Sequence, residues 1–337
     1  MKKNVKIIIS TCVLVLWGMQ AIKSYAAMTD DAVDQYVEEY IAEYDESIKI
    51  FNKEKLYNEE EEETAILYQL FPEGYIVIEP DDYRIIEYSW SVDYPFIEGE
   101  INYYNGPLQY YFKTTEMFQH SRTGSFIDVD GYKEIRLSYE SQEKNIETDD
   151  TISMLSTRSS SYSLTTALRT FDYNPDGRCG SVAAAILFAY YEDAIDSAMV
   201  SSYLLSDSTG KIFTDYLKPH IEDLDGETGS STSDLVSGMG WYISNVGLYN
   251  TYSVLSANNP QYVTCVNCIN VGRPVIVDLN EHPTYNEHWV VGYGYQYNQT
   301  SDENTSFVLV NDGWGNNGIY INWSYIGDLV YLNKPEW

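Results

Sequence analysis

A polar, glycine-containing loop that leads directly into an apolar helical run is the feature that most constrains this chain. The loop spans residues 174–181 (NPDGRCGS) and the apolar run spans residues 182–191 (VAAAILFAYY). The pattern predicts that Cys179 lies in the first turn of a helix. Unpaired N–H groups and the helix dipole stabilise an anion at that position, so we expect a lowered thiol pKa. We interpret Cys179 as an exposed, reactive thiol rather than a small buried hydrophobe.

Two later segments supply the partners that a reactive thiol needs. His288 opens a strand-like run (HWVVGYG), and Asn311 and Asp312 shortly precede Trp314-Gly315. A thiol, an imidazole and then a carboxylate or amide follow the order of a Cys-His-Asn/Asp triad. The Cys-His pair provides both a nucleophile and an acid for a leaving amine. Asp312 is the first choice to hold the imidazole tautomer, and Asn311 is the alternative.

These three segments resemble the papain-like cysteine peptidases, and within them the streptopain-like and C39-like bacterial branches. The family pattern is a Cys that opens the central helix, a His that opens a barrel strand, and an Asn or Asp two residues before Trp-Gly. The resemblance covers roughly residues 160 to 337. It implies an α+β fold with two lobes, one helical and one of antiparallel strands, whose cleft brings Cys179 and His288 together. Trp314 would pack over the His-Asp pair.

The oxyanion hole departs from the family pattern. It requires the Cys179 backbone N–H and an upstream side-chain donor, which in this family is generally Gln. No Gln occurs between Gln142 and Gln261, and the nearest upstream amide is Asn174. Asn174 is therefore the candidate donor, and an Asx turn before Pro175 is its alternative role.

The first 27 residues read as a secretory signal peptide. Three lysines precede a short apolar core at residues 7–17, and small residues follow at 26–27. The core is shorter than the roughly 20 residues that a transmembrane helix needs, and no second apolar span follows. We therefore expect a secreted or cell-surface protein with no stable membrane span after signal removal.

Three cysteines remain once the signal peptide is removed. Cys265 and Cys268 are close enough in sequence to pair with each other, which would leave Cys179 with a reactive thiol, but the pairing stays open because connectivity does not follow from sequence. No second Cys or His pair has ligand spacing, so neither a metal nor a cofactor is expected.

The formal net charge is −31 and is spread along the whole chain. Such a charge repels nucleic acid and anionic polymers and offers no basic patch for anionic lipid. The expected partners are therefore cationic or neutral peptides and proteins, and not nucleic acid.

The chain divides into a signal peptide (1–27), an N-terminal α+β domain (28–158) and a papain-like domain (159–337). The first part of the N-terminal domain, residues 28–57, has the spacing of an amphipathic helix, and strand-like runs follow. This domain resembles the pro-segment of streptopain-like zymogens, which implies that it is an intramolecular inhibitor. The polar stretch within 141–163 is the predicted linker and contains the pro/mature junction.

The C-terminal domain is predicted to place helices before strands. Besides the Cys179 helix, the expected helices and strands are, in order, helices at 211–217, 233–245 and 259–271, and strands at 275–279, 288–296, 306–311, 319–323 and 329–332.

The resulting hypothesis is a secreted cysteine endopeptidase, made as a zymogen, that acts through an acyl-thioester intermediate. Two alternatives stay open. The same triad serves a transglutaminase-like acyl transferase or a wall-peptide amidase. A degenerate, non-catalytic scaffold could be a surface binding protein, since the chain carries 33 tyrosines and tyrosine is an effective contact residue.

Overall fold

The computed structural model describes residues 30–80, 84–133, 160–175, 178–222, 229–279, 288–297 and 306–334. We refer to residues 30–133 as the N-terminal module and residues 160–334 as the C-terminal module. The predicted signal peptide and almost all of the predicted linker, including the pro/mature junction, lie outside the described residues, so both stay predictions.

Both modules mix helices and strands, and the fold is α+β, as the sequence predicts. The main helices are α1 Asp30–Tyr44, α2 Cys179–Ala194, α3 Lys211–Ile221, α4 Thr232–Asn245 and α5 Tyr262–Asn270. The strands of the N-terminal module are β1 Lys49–Tyr57, β2 Glu63–Phe71, β3 Tyr75–Ile78, β4 Ile85–Ser89, β5 Asn102–Tyr104, β6 Tyr110–Lys113, β7 Phe118–His120 and β8 Phe126–Ile127. Those of the C-terminal module are β9 Ser160–Ser163, β10 Ser253–Asn258, β11 Val275–Asp278, β12 Trp289–Tyr297, β13 Ser306–Asn311, β14 Asn317–Asn322 and β15 Asp328–Asn333.

One hydrogen-bonded sheet runs through both modules. Its order is β10-β15-β11-β12-β13-β14-β4-β3-β2-β1-β5-β6-β7-β8, and β9 pairs with β12. The modules join where β14 pairs antiparallel with β4, with Ile319 opposite Ser89 and Ile321 opposite Glu87. The N-terminal module is therefore bonded along a strand of the C-terminal module, so the two share main-chain hydrogen bonds as well as side-chain contacts.

Side chains that alternate along β2 and β3 pack into two different cores, one on each face of the sheet. Leu67 and Val77 belong to the large core that also contains α2. Their neighbours Ile66 and Ile76 pack with α1 on the opposite face, in a cluster that also includes Phe307 of the C-terminal module. Successive residues of a strand point to opposite faces, so the central strands of this module are buried on both sides.

The predicted helix over residues 28–57 is too long. The helix ends at Tyr44, and residues Lys49–Tyr57 form β1. Residues 49–57 form a strand rather than a helix because they pair antiparallel with β2, from Lys49 opposite Phe71 to Tyr57 opposite Glu63. The run of glutamates at 59–62 forms the turn of this hairpin, and Glu61 adopts a positive φ of 62° there.

The helices and strands predicted for the C-terminal module occur within a few residues of the expected bounds. Residues 179–191 of α2 are all buried, so this helix is the centre of the large core. The helix lies against β11 and β12, and β12 begins at Trp289, directly after His288. This packing brings the two main candidate side chains to the same end of α2.

No helix among the residues that the structure describes is long and apolar enough to span a membrane. Within the same ranges, no group of three or more His, Cys, Asp or Glu side chains is arranged to hold a metal ion.

Candidate active site

Cys179 is the first residue of α2, as the sequence predicts. Its sulfur accepts hydrogen bonds from the backbone N–H groups of Gly180 and Trp289. Because Trp289 directly follows His288, the second contact fixes the thiol beside the start of β12. Two segments more than one hundred residues apart in sequence therefore meet at this sulfur.

The expectation of an exposed thiol with a lowered pKa is wrong for this form of the protein. Cys179 is only 7% exposed. Burial, followed by the nearby carboxylate of Glu222, raises the pKa of the thiol to about 12. Desolvation disfavours the thiolate more strongly than the helix N-terminus favours it, so the thiol is neutral here.

His288 is held by a hydrogen bond and by an aromatic ring. Its imidazole hydrogen-bonds to the backbone of Asp312, and the ring stacks on Trp314 with centroids 4.2 Å apart and planes 9° apart. The position expected for Trp314, over the imidazole, is thus observed. Nε2 of His288 is buried and has no hydrogen-bond partner among the described residues. Burial, with a smaller contribution from His120, lowers the imidazole pKa to about 3.

Asp312 meets His288 through its main chain, whereas its carboxylate binds its own turn. Oδ1 accepts from the backbone N–H groups of Trp314 at 2.8 Å and Asn316 at 3.0 Å. Oδ2 accepts from the Asn316 side chain at 2.6 Å. The carboxylate therefore organises the loop that presents the Asp312 backbone to the imidazole. Burial raises the pKa of this carboxyl group.

The alternative triad member, Asn311, points elsewhere. Its Nδ2 donates to Asn317 Oδ1 at 2.8 Å, and its Oδ1 accepts from the Gly313 backbone at 2.9 Å. Asn311 is the last residue of β13 and Asp312 follows it, so their side chains diverge. The geometry brings the backbone of Asp312 to His288, whereas the Asp312 carboxylate and the Asn311 amide bond within their own turn, so the side-chain role expected for Asp312 is not what the structure shows.

Asn174, the predicted oxyanion donor, lies against the Asp312 turn. A Cβ built on Gly313 would lie 3.3 Å from Asn174 Nδ2 and 3.5 Å from Val182 of α2. Nδ2 of Asn174 is buried and has no hydrogen-bond partner in the described part of the chain. Residues 176–177, which would close an Asx turn, lie outside the described residues.

The N-terminal module reaches the candidate site through His120. The His120 ring lies 5.1 Å from the Trp314 ring, on which His288 also packs. His120 Nε2 donates to the Leu108 carbonyl at 2.9 Å, and burial lowers the pKa of this imidazole to about 4. Of the other histidines, His220 stacks on Trp241 away from this cluster, and His282 lies outside the described residues.

Sequence reasoning missed two buried glutamates. Glu222 accepts a hydrogen bond from the Ser181 backbone in the first turn of α2, at 2.8 Å. Glu87 lies in β4, the strand that joins the two modules, and burial raises the pKa of each to about 7. Glu87 follows two isoleucines in a strand-like run, which is a weak sign that a carboxyl group is buried. No periodicity marks Glu222, because it opens an acidic stretch typical of a surface turn.

None of the three cysteines that the structure describes forms a disulfide. Cys265 and Cys268 are both buried in α5. Their pairing, which the sequence leaves open, is absent in this structure.

Comparison with known proteins assigns a family to this arrangement. The Peptidase C39-like family matches residues 162–331, about half of the chain. The chain belongs to the C39-like peptidase family. The match includes Cys179, His288 and Asp312, in agreement with the resemblance to papain-like and C39-like peptidases noted from the sequence.

Two solved structures are similar to this C39-like family member. A fragment of Prevotella intermedia prointerpain A shares 13% identity, with 83% of this chain and 98% of that chain covered and a TM-score of 0.45. A C39-like peptidase from Bacillus anthracis shares 14% identity, with 51% of this chain and 98% of that chain covered and a TM-score of 0.32. No curated protein matches the chain.

Proposed function

We propose that this protein is a secreted cysteine endopeptidase, made as a zymogen, that cleaves peptide bonds with Cys179 as the nucleophile. The observation that carries the proposal is that the Cys179 sulfur lies at the Trp289 backbone, directly after His288, while His288 bonds to the Asp312 backbone. Membership of a peptidase family supports the reaction class.

In this mechanism, His288 transfers the protons and Cys179 forms the bond to the substrate. Nε2 of His288 takes the thiol proton, and the sulfur attacks the substrate carbonyl carbon to form a tetrahedral adduct. The imidazolium then gives that proton to the leaving amine, and an acyl-thioester remains. Water, deprotonated by His288, attacks the thioester and releases the acid and the thiol. The absence of a protein partner on Nε2 among the described residues suits this role.

Asp312 would orient the imidazole ring, and Asn174 would stabilise the negative charge of the tetrahedral adduct. The hydrogen bond between the Asp312 backbone and the imidazole fixes the ring orientation, and Trp314 keeps water from one ring face. Asn174 Nδ2 and the Cys179 backbone N–H would donate to the oxyanion of the tetrahedral adduct. Asn174 Nδ2 has no competing acceptor among the described residues, which supports this assignment.

We further propose that the N-terminal module keeps the enzyme latent. In the described form, the thiol and the imidazole are both buried, and their shifted pKa values favour a neutral pair. His120 of the N-terminal module packs on Trp314 and contributes to the lowered pKa of His288. Removal of this module would admit water, which favours the thiolate-imidazolium pair.

Cleavage of the linker tests both proposals. The full chain and a sample cut within residues 141–159, from which the N-terminal fragment has been separated, are incubated with unfolded casein. We expect hydrolysis in the cut sample, little in the full chain, and none in cut Cys179→Ala. Equal rates for full and cut chains would contradict latency. Hydrolysis by cut Cys179→Ala would contradict the thiol mechanism.

A further inference from the structure

The start of α2 is capped by a residue from another helix. Arg178, at the N-cap position, makes no side-chain capping hydrogen bond. Instead, the Ser181 N–H donates to Oε1 of Glu222 at 2.8 Å. Glu222 is the residue that follows α3. A carboxylate is well suited to this position, since the first N–H groups of a helix have no partner within the helix.

The second carboxylate oxygen of Glu222 is not used in this cap. Oε2 is buried and makes no hydrogen bond to any residue that the structure describes. Ser230 Oγ is also buried and has no hydrogen-bond partner among those residues. The space here is narrow, because a Cβ on Gly180 would overlap Ser230 Oγ. Trp289, whose backbone N–H reaches the Cys179 sulfur, donates from its indole to the Ser230 carbonyl at 2.8 Å. Glu222 thus belongs to a tight polar cluster directly beside the thiol.

The charges around this cluster come from several elements. Negative groups near the thiol are Glu222 and Asp278 of β11, and both carboxylates disfavour the thiolate. Positive groups near Glu222 are Lys218, on the last turn of α3, and Arg178, which is ion-paired with Asp215. Glu222 itself is only 1% exposed, so its interaction with the thiol is weakly screened by solvent.

We propose that Glu222 is a positioning residue for the nucleophile: it fixes the start of α2 through the Ser181 N–H, and its negative charge opposes formation of the Cys179 thiolate. This inference rests on the proposed function of Cys179. A nearby like charge disfavours formation of the thiolate. Loss of the Glu222 charge would therefore raise the thiolate fraction at a given pH.

The pH dependence of thiol alkylation tests the proposal in the full chain. The rate of Cys179 alkylation by iodoacetamide is followed by peptide mapping between about pH 7 and about pH 10, where the rate rises with the thiolate fraction. Glu222→Gln removes the charge and keeps an oxygen that accepts from Ser181. We expect the alkylation rate of Cys179 at a given pH to rise about tenfold or more, since a pKa lower by one unit gives ten times more thiolate.

Glu192→Gln is the matched control. Oε2 of Glu192 accepts from the Val200 N–H at 2.8 Å near the other end of α2, so the substitution changes the same charge in a similar hydrogen bond. We expect no change in the Cys179 alkylation rate, because the two ends of α2 are about 20 Å apart at 1.5 Å per residue. A structural disturbance of the helix in general would change the rate in both variants.

The outcomes separate this inference from the proposed function. Alkylation of Cys179 at an unchanged rate in Glu222→Gln would overturn the inference and leave the nucleophile in place. A Cys179 that stays unreactive in all variants, also after linker cleavage and separation of the N-terminal fragment, would overturn both.

A measurement on the unmutated chain covers the case in which Glu222→Gln does not fold. With ¹³C-labelled glutamate and cysteine, we expect the Cys179 Cβ resonance to shift at the pH where the Glu222 carboxyl titrates. A Cys179 resonance that does not respond to this titration would contradict the coupling.

Discussion

Two buried glutamates, Glu87 in the N-terminal module and Glu222 beside the candidate nucleophile, differ in how their carboxylates are bonded. Both are at most 1% exposed, and burial raises the pKa of each to about 7. Glu87 uses both oxygens, since Oε1 accepts from the Tyr110 hydroxyl and Oε2 from the Leu108 N–H at 2.9 Å. Glu222 uses one oxygen in the cap of α2.

The comparison shows that burial and a shifted pKa do not by themselves identify a functional carboxylate. The bonding around Glu87 lies within one module and holds loop and strand residues together, so we expect it to act on stability. The bonding around Glu222 ends at the helix that carries the thiol, so we expect it to act on reactivity.

The largest effect is expected from the thiol that Glu222 adjoins. Cys179→Ala should reduce peptide hydrolysis by about 10,000-fold or more, since removal of a nucleophile leaves only binding and oxyanion contributions. Initial rates on casein after linker cleavage measure this. Cys268→Ala is the matched control, because Cys268 has the same 7% exposure in another helix, and its activity should be retained. Similar losses in both variants would point to damaged folding rather than to lost chemistry.

The next effect is on stability and concerns Glu87. Glu87→Ala removes the acceptor of the Leu108 N–H and of the Tyr110 hydroxyl, and the free energy of unfolding should fall by about 3 kcal/mol. Urea denaturation of the full chain near pH 6 measures the change. A loss below about 1 kcal/mol would mean that the Leu108 N–H and the Tyr110 hydroxyl find other partners. The assignment of a stabilising role to Glu87 would then be wrong.

A third prediction uses the titration of Glu87. Its folded pKa of about 7 lies above the ordinary 4.5, so its contribution to stability is complete below about pH 4.5 and is lost as the pH rises through about 7. Relative to Glu87→Gln, the unmutated chain should therefore lose up to about 3 kcal/mol of unfolding free energy between about pH 4.5 and about pH 8.

The difference between the two chains is the quantity to measure, because the lowered pKa values of His120 and His288 act in the opposite direction. Their contribution is common to both chains and cancels in the difference. Parallel unfolding free energies across this pH range would contradict the assignment of a buried, titrating Glu87.

The smallest effect is expected at a carboxylate that is neither fully buried nor near the thiol. Glu192→Gln keeps an acceptor for the Val200 N–H, so we expect a change of about 0.5 kcal/mol or less in stability. Thermal unfolding under matched conditions measures it. A change of several kcal/mol would show that the carboxylates bonded at both ends of α2 are critical, and the special position of Glu222 would lose its support.

Much of the local structure follows from sequence patterns. Residues Ser306–Asn311 form a strand with the predicted bounds, and α4 begins one residue before its predicted start. In these segments the apolar residues recur at a regular spacing and the ends carry recognisable residues. Ser231, for example, forms a capping box with Asp234 at the start of α4. The helix predicted across residues 28–57 is too long because residues 49–57 pair with β2 as a strand. The spacing of apolar residues within one segment does not show which other segment it will pair with.

The candidate site was predicted by residue type but not by ionisation state. The sequence alone determined that a thiol opens an apolar helix, that an imidazole precedes a strand, and that an Asp stands two residues before Trp-Gly. Only the tertiary structure decided that the thiol is buried, that Asp312 meets His288 through its backbone, and that Glu222 stands beside Cys179. The physical reason is that a pKa depends on desolvation and on charges in space, and segments distant in sequence supply both.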